Sequence, residues 1–335
     1  MTIAPNAASS PQHPPMKVGV LQFFSWTRRV PLETVYQRAF ERVAIMDEGG
    51  YDAVWLAEHH FNTYSICPSV TLMGTHIAAR TTNLRIGTAV TLAAFYHPLR
   101  LAEELALLDH LSGGRLNWGA GRGFDPKEFR AFNVPVEESS DRFRECVEIV
   151  RAAWTNEKVS FDGQFWQFSD VEVLPKPLQQ PHPPVWLAGT SPESIQRAAE
   201  AGHDLLMDPH SSHADIATKQ ALYRQTLASR GFEAAGRQTP IARLMAIAPT
   251  AAEAREVAVN GAKWTVTSYA RSRESNGESP VDRYVNNVII HGTPEMVVDQ
   301  LLQRREELPL DYLLMAPLSH ESFMLFTENV LPRLI

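Results

Sequence analysis

The sequence predicts an α/β fold, a single (β/α)8 TIM barrel with a hairpin insertion and a mobile polar loop near its C-terminal part. Three observations carry that expectation. Short apolar runs of strand character alternate with stretches of three- and four-residue apolar periodicity, eight times in order from Met16 onward. The length of 335 residues is ordinary for one such barrel with insertions. No fixed-period repeat and no break in composition divides the chain. Residues 16–335 therefore read as one domain, and the Pro-, Ala- and Ser-rich residues 1–15 as a disordered tail.

In chain order, residues 17–23 are the first expected strand. Pro31 then opens a helix on which Leu32, Val35, Tyr36, Ala39, Phe40, Val43 and Ala44 share a face, ended by Gly49-Gly50. The apolar run Ala53-Val54-Trp55-Leu56-Ala57 is the second strand. A helix over 68–80 and a strand over 83–92 follow, then a helix from Pro98 with Leu101, Leu105 and Leu108 on one side, stopped by Gly113-Gly114. Strand four spans 116–121 and leads to a long helix over 137–155. Alternating residues around Asp162-Gly163 predict the hairpin insertion at 159–174.

Three more strand–helix pairs cover 184–188 with 192–201, 204–207 with 214–229, and 241–248 with 251–261. A helix from Thr293-Pro294 to about 306 precedes the eighth strand at 310–315 and a closing helix. Residues 267–283 contain RSRESNGESP, which is polar and lacks periodicity, and read as a lid or a solvated connector.

Composition excludes several classes of function. A formal charge of −7 disfavours nucleic acid or an anionic membrane as partner. No apolar run approaches the roughly 20 residues of a membrane helix. Cys67 and Cys146 stand far apart, which fits a reduced, cytoplasmic compartment rather than a disulfide framework. The first residues, MTIAPNAASSPQHPP, have neither the basic start nor the apolar block of a signal peptide.

The chemistry-bearing residues fall at expected C-terminal strand ends, where α/β barrels bind ligands. The second strand ends in Glu58-His59-His60-Phe61. Neighbours on an extended strand point opposite ways, so the two imidazoles make a poor metal pair, and no HxH, HExxH or Cys/His cluster suggests a metal elsewhere. One imidazole should face the barrel mouth, where it can serve as acid, base or donor near neutral pH. Strand four ends in Gly119-Ala120-Gly121-Arg122-Gly123, with small residues for close approach and a guanidinium suited to phosphate. Strand five ends in Gly189-Thr190-Ser191-Pro192-Glu193, whose hydroxyls and free N–H groups at a helix start suit an anion, although Ser191 is equally an ordinary N-cap. Gly87-Thr88-Ala89-Val90 leaves room for a flat ligand. Phe23, Phe24, Trp26 and Phe61 are aromatic residues for a substrate pocket or for barrel packing. A phosphate anchor, a shelf of small residues and an imidazole together suggest a phosphorylated cofactor of unspecified kind.

The motifs YDAVWLAEHHF, LRIGTAVTL and HPLRLAEELALLDHLSGGRLNWGAGRGFDPKEFRAF resemble those of the bacterial luciferase-like flavin monooxygenases, and of the luciferase α subunit in particular. The resemblance runs from about residue 16 to 201 and continues more faintly to the C-terminus. It implies a (β/α)8 barrel using reduced FMN delivered by a separate flavin reductase. Dioxygen would react at the flavin C4a position, and one oxygen would pass from the hydroperoxide to a small, apolar carbonyl-type substrate. Motif by motif, it makes His59 the catalytic histidine and His60 a supporting residue. Arg122 becomes the phosphate arginine, Gly189, Thr190 and Ser191 the phosphate turn, and Ala89-Val90 a pair that often carries a non-prolyl cis peptide under the flavin ring. A homodimer through early helices is implied as well. Two departures argue against light emission: Gly121 stands where the luciferase α subunit has a reactive cysteine, and Asp125 where it has a tyrosine. A deazaflavin-dependent hydride-transfer enzyme and a non-catalytic flavin-binding partner subunit are the competing readings.

Overall fold

The computed structural model describes residues 14–268 and 278–335. Its twelve strands are β1 (Lys17–Gln22), β2 (Ala53–Leu56), β3 (Arg85–Thr88), β4 (Thr91–Leu92), β5 (Leu116–Gly121), β6 (Val159–Asp162), β7 (Gln167–Val171), β8 (Val185–Gly189), β9 (Asp204–Met207), β10 (Ile241–Ile247), β11 (Ile290–Gly292) and β12 (Tyr312–Pro317). Among them run helices α1 (Leu32–Glu48), α2 (Val70–Ala78), α3 (Pro98–Leu111), α4 (Pro126–Ala131), α5 (Ser139–Thr155), α6 (Pro192–Glu200), α7 (His213–Ser229), α8 (Ala251–Ser268), α9 (Pro280–Asn287), α10 (Pro294–Glu307) and α11 (His320–Leu325). Strands β1, β2, β3, β5, β8, β9, β10 and β12 pair in parallel, and β12 returns to β1 to close the barrel. The antiparallel pair β6–β7 is the expected hairpin insertion.

Alternation along each strand divides the core into two shells. One set of side chains, with Val54, Leu56, Ile86, Ile241 and Met245, packs outward against the helices. The other set fills the barrel with Ala53, Trp55, Trp186, Leu206, Leu244, Tyr312 and Leu314. Trp55 packs edge-on against Trp186 and donates its Nε1–H to the Tyr312 hydroxyl at 3.0 Å, while that hydroxyl donates to Asp52. Ala57, Ala89, Ala188, Ala246 and Ala316 belong to the same interior cluster. The interior is thus plugged by indoles and carries small residues towards the C-terminal strand ends, which leaves depth there for a ligand.

Four sequence expectations need correction. The strand predicted over 83–92 is broken: Gly87 lies opposite Asn117, yet Thr91 lies opposite Ala120, so one extra residue bulges from this edge. The Ala89-Val90 peptide within the bulge is cis. The helix predicted from about 137 to 155 is present as Ser139–Thr155, but a separate helix, α4, precedes it where none was predicted. The helix predicted to stop at Gly261 runs on to Ser268, because that glycine serves packing: a Cβ there would come within 2.7 Å of Leu318 Cδ1. Of the loop expected over 267–283, residues 267–268 end α8 and residues 280–283 lie in α9, while residues 269–277 fall outside the described residues.

Candidate active site

The Glu58-His59-His60-Phe61 motif leaves β2 at the barrel mouth. Ala53, Trp55 and Ala57 point to the interior. Beyond the strand, the His59 ring stands against Tyr64 and interacts electrostatically with His210, which follows β9, while Glu58 and His60 pair with each other. His59 is buried, with only 8% of its surface exposed, and its N–H donates to Cys67 O at 3.1 Å. Each imidazole has its own buried carboxylate. His59 Nδ1 lies 3.4 Å from Glu128 Oε1, and His60 Nε2 lies 3.0 Å from Glu58 Oε1.

Glu58 is a structural hub. It accepts from Leu92 N at 3.2 Å and from the Tyr96 hydroxyl at 3.1 Å, besides pairing with His60. Burial pushes its carboxyl above the usual range, against the opposing hydrogen bond and charge of His60. Beneath it, burial and the Glu58 charge push the Cys67 thiol up to about 12, so this cysteine is an inert core residue.

A belt of aromatic groups surrounds His59. Tyr64 stands edge-on to it at 5.4 Å, Phe124 at 6.2 Å, and Phe23 packs against Tyr64 at 4.9 Å. The Tyr64 hydroxyl lies 3.2 Å from His210 Nε2, and the Tyr284 hydroxyl lies 3.4 Å from His210 Nδ1. Burial lowers the His210 imidazole to about 4, with Arg243 and His59 adding to the effect against the pull of Asp208. It is therefore a neutral ring at pH 7. Asp208 is held at about 2: burial alone would raise it, but Lys219, His210, Arg243 and the Ser211 hydroxyl outweigh that.

The two expected phosphate-binding ends leave the barrel side by side, because β5 and β8 are neighbours with Ala120 opposite Leu187. Arg122 is exposed, and among the described residues its guanidinium makes one hydrogen bond, to Ser139 Oγ at 3.4 Å. Ser191 caps α6 through a capping box with Ser194, whose Oγ also accepts from Thr190 N at 3.2 Å. The turn already favours negative charge. The exposed Glu193 carboxyl is held below its usual range by its own backbone N–H and by the Ser191 hydroxyl. Guanidinium, hydroxyls and a helix start make a donor set that fits a phosphate group.

The small-residue positions serve different purposes. At Gly119 a Cβ would lie 2.0 Å from Thr88 O, and at Gly121 it would lie 2.3 Å from Val90 Cγ2. The space at Gly121 is thus filled by the Val90 side chain of the bulge, and a cysteine could not occupy this position without displacing it. Of the aromatic residues singled out in the sequence, Phe23 joins the belt beside His59, whereas Phe24 is core, 1% exposed. Trp26 donates its Nε1–H to Val30 O at 2.7 Å, and Arg29 stacks on its ring. Phe61 has φ of +54°, is 67% exposed and lies against Phe132. Among the described residues, no group of three or more His, Cys, Asp or Glu side chains is placed to hold a metal ion.

A model of the family described as luciferase-like monooxygenase matches residues 16–311. The chain belongs to that family. Among similar proteins of this luciferase-like family is the oxygenase component of the flavin-dependent trigonelline monooxygenase of Acinetobacter baylyi, 34% identical over 177 residues, covering 52% of this chain and 49% of that protein. The alkanal monooxygenase alpha chain of Photorhabdus luminescens is 28% identical over 189 residues, 56% of this chain and 52% of that one. The chain spans about half the length of the curated relatives it matches. Among solved structures, the monooxygenase RslO1 of Streptomyces bottropensis superposes with a TM-score of 0.84 at 29% identity, covering 95% of this chain and 99% of that one.

Sequence reasoning missed Tyr64, Glu128, His210 and Tyr284. Two of them carried a usable signal. His210 follows the sixth barrel strand at its C-terminal end, and Asp125-Pro126 is an N-cap followed by a first-turn proline that announces the helix bearing Glu128.

Proposed function

We propose that this chain is the oxygenase half of a two-component flavin monooxygenase, acting on a small, apolar carbonyl-type substrate. What supports the reading is that neighbouring strands bring its parts to one end of the barrel: His59 after β2, the bulged edge after β3, Arg122 after β5 and the hydroxyl-rich start of α6 after β8. Arg122, Thr190 and Ser191 would hold the phosphate of FMN, with Gly189 leaving room behind the turn for Leu205 and Ile195. Ala89, Val90 and Gly121 would lie under the ring. Bound reduced FMN supplies two electrons and the ring at which dioxygen is activated. His59 holds or delivers the proton that the oxygen transfer requires, and Phe23, Tyr64 and Tyr284 offer an apolar wall for the substrate.

The partners follow from this reading. A separate flavin reductase supplies the reduced cofactor, and the reaction takes place in the cytoplasm. No described helix is long and apolar enough to cross a membrane. A homodimer is supported by exposed leucines on two adjacent early helices: Leu72 on α2 is 74% exposed, and Leu107 and Leu111 on α3 are 49% and 55% exposed.

The test is dioxygen uptake by purified protein with chemically reduced FMN across a panel of aliphatic aldehydes and ketones. Uptake in step with substrate consumption is expected. Turnover seen only with a reduced deazaflavin would replace the oxygenase reading with hydride transfer. Flavin binding without turnover on any substrate would favour a partner subunit.

A further inference from the structure

Glu128 is a buried acid that the proposed reaction has not yet used. It sits on α4, whose N-terminus is fixed by Asp125 accepting from Lys127 N at 2.9 Å and whose next residue, Phe129, is locked against Phe95. The side chain is fully buried, and both of its contacts converge on one oxygen: Oε1 accepts from His60 N at 2.9 Å and faces His59 Nδ1 at 3.4 Å. The second oxygen, Oε2, is buried without a hydrogen-bond partner. An amide in this position would satisfy the His60 N–H equally well. What a carboxylate adds is charge, and burying it is costly unless it faces a positive group.

We propose that Glu128 is a positioning residue for His59, fixing the Nδ1–H tautomer and balancing the positive charge when the ring takes up a second proton. This rests on His59 acting in the reaction as described above. With the proton held on Nδ1, the neutral ring keeps its lone pair on Nε2, and it is Nε2 that takes and returns the proton during oxygen transfer. The imidazolium formed in that step keeps Nδ1–H against Glu128 Oε1. The adjacent pair of imidazoles is thereby split into two roles by two buried acids: Glu58 fixes His60 into the wall of the site, and Glu128 tunes His59.

Two measurements test this. The first needs no turnover: two-bond nitrogen–proton correlation on protein labelled with 15N-histidine, with the His59 signals assigned by their loss in His59→Asn. The Nδ1–H tautomer is expected, and a predominant Nε2–H tautomer would overturn the proposal whatever the protein's reaction. The second is a double-mutant cycle in dioxygen uptake. Glu128→Gln retains an oxygen for His60 N–H, so it should leave FMN affinity and Tm close to wild type while lowering kcat at least tenfold. In a His59→Asn background the same change should cost less than twofold. An equal loss in both backgrounds would make Glu128 a merely structural residue, and wild-type turnover in Glu128→Gln would remove its role altogether. Absence of turnover in the wild type refutes the oxygenase reading and leaves the tautomer measurement to decide on Glu128.

Discussion

Thr88→Val probes the device that shapes the floor of the mouth. Regular pairing between β3 and β5 stops at Gly87–Asn117 and resumes only at Thr91–Ala120. The Thr88 side chain bridges the gap: its Oγ1 donates to Gly119 O at 2.7 Å and accepts from Gly119 N at 2.9 Å. Valine keeps the volume and leaves a buried N–H and a buried C=O without partners, at about 1–3 kcal/mol each. The expected loss is about 4 kcal/mol, near the middle of the summed range. At roughly 2.1 cal/mol/K of unfolding entropy per residue, a chain of 335 residues then loses about 6 °C in Tm. Urea unfolding should show a lower midpoint with an unchanged slope. Thr88→Ser, which keeps the hydroxyl and loses one methyl, should cost only about 1 kcal/mol. A valine variant within 0.5 kcal/mol of wild type, or a serine variant as weak as the valine one, would refute the bridging role.

Other outcomes follow from the same geometry. His59→Asn should lower dioxygen uptake with substrate by about 10²- to 10⁴-fold, the range for a general acid or base, while FMN affinity changes no more than a few-fold; a loss below threefold would remove His59 from the chemistry. Burial lowers the imidazoles of His203 and His210 to about 4 and that of His213 to about 3, each below an unfolded value of 6.5. The unfolded chain therefore binds more protons between these values, so stability is full above about pH 6.5 and falls as the pH drops towards 4, by up to about 1.4 kcal/mol per pH unit for each imidazole. Urea midpoints at pH 7 and pH 5 measure this, and His213→Asn should flatten the dependence; a midpoint independent of pH would contradict it. Replacing Leu72 and Leu107 by glutamate should convert a dimer to monomers in sedimentation velocity without loss of fold, and an unchanged sedimentation coefficient would place the interface elsewhere.

The barrel was legible in the sequence because its strands are buried apolar runs bounded by Gly and Pro, and because its helices keep a 3.6-residue period. The failures have physical causes. No proline or turn residue within Thr88-Ala89-Val90-Thr91 ends the strand, so the extra residue shows against the register of β5 and not in the local pattern. Gly261 resembles a helix stop and is instead a contact with Leu318. The three residues of β11 are too few for a pattern and form a strand only by pairing with the second half of β10. At the candidate site, strand ends and motif spacing pointed to His59, Arg122 and the α6 turn. The partners of His59 escaped because they are joined across the chain: Glu128 is 69 residues away from it, and Tyr64 meets His210 across 146. A buried acid on a six-residue helix gives no periodic signal.

The central claim is that the mouth holds a flavin by its phosphate between β5 and β8, with the ring facing His59. Equilibrium titration with FMN and with riboflavin, which lacks the phosphate, tests it most directly when repeated on Arg122→Ala. Charge-assisted hydrogen bonds from a guanidinium to phosphate are worth about 1.5–3 kcal/mol. Wild-type protein should therefore bind FMN at least tenfold more tightly than riboflavin, and Arg122→Ala should lose most of that preference while unfolding at the same temperature. Equal affinity for the two flavins, or a preference that survives the loss of Arg122, would contradict the claim.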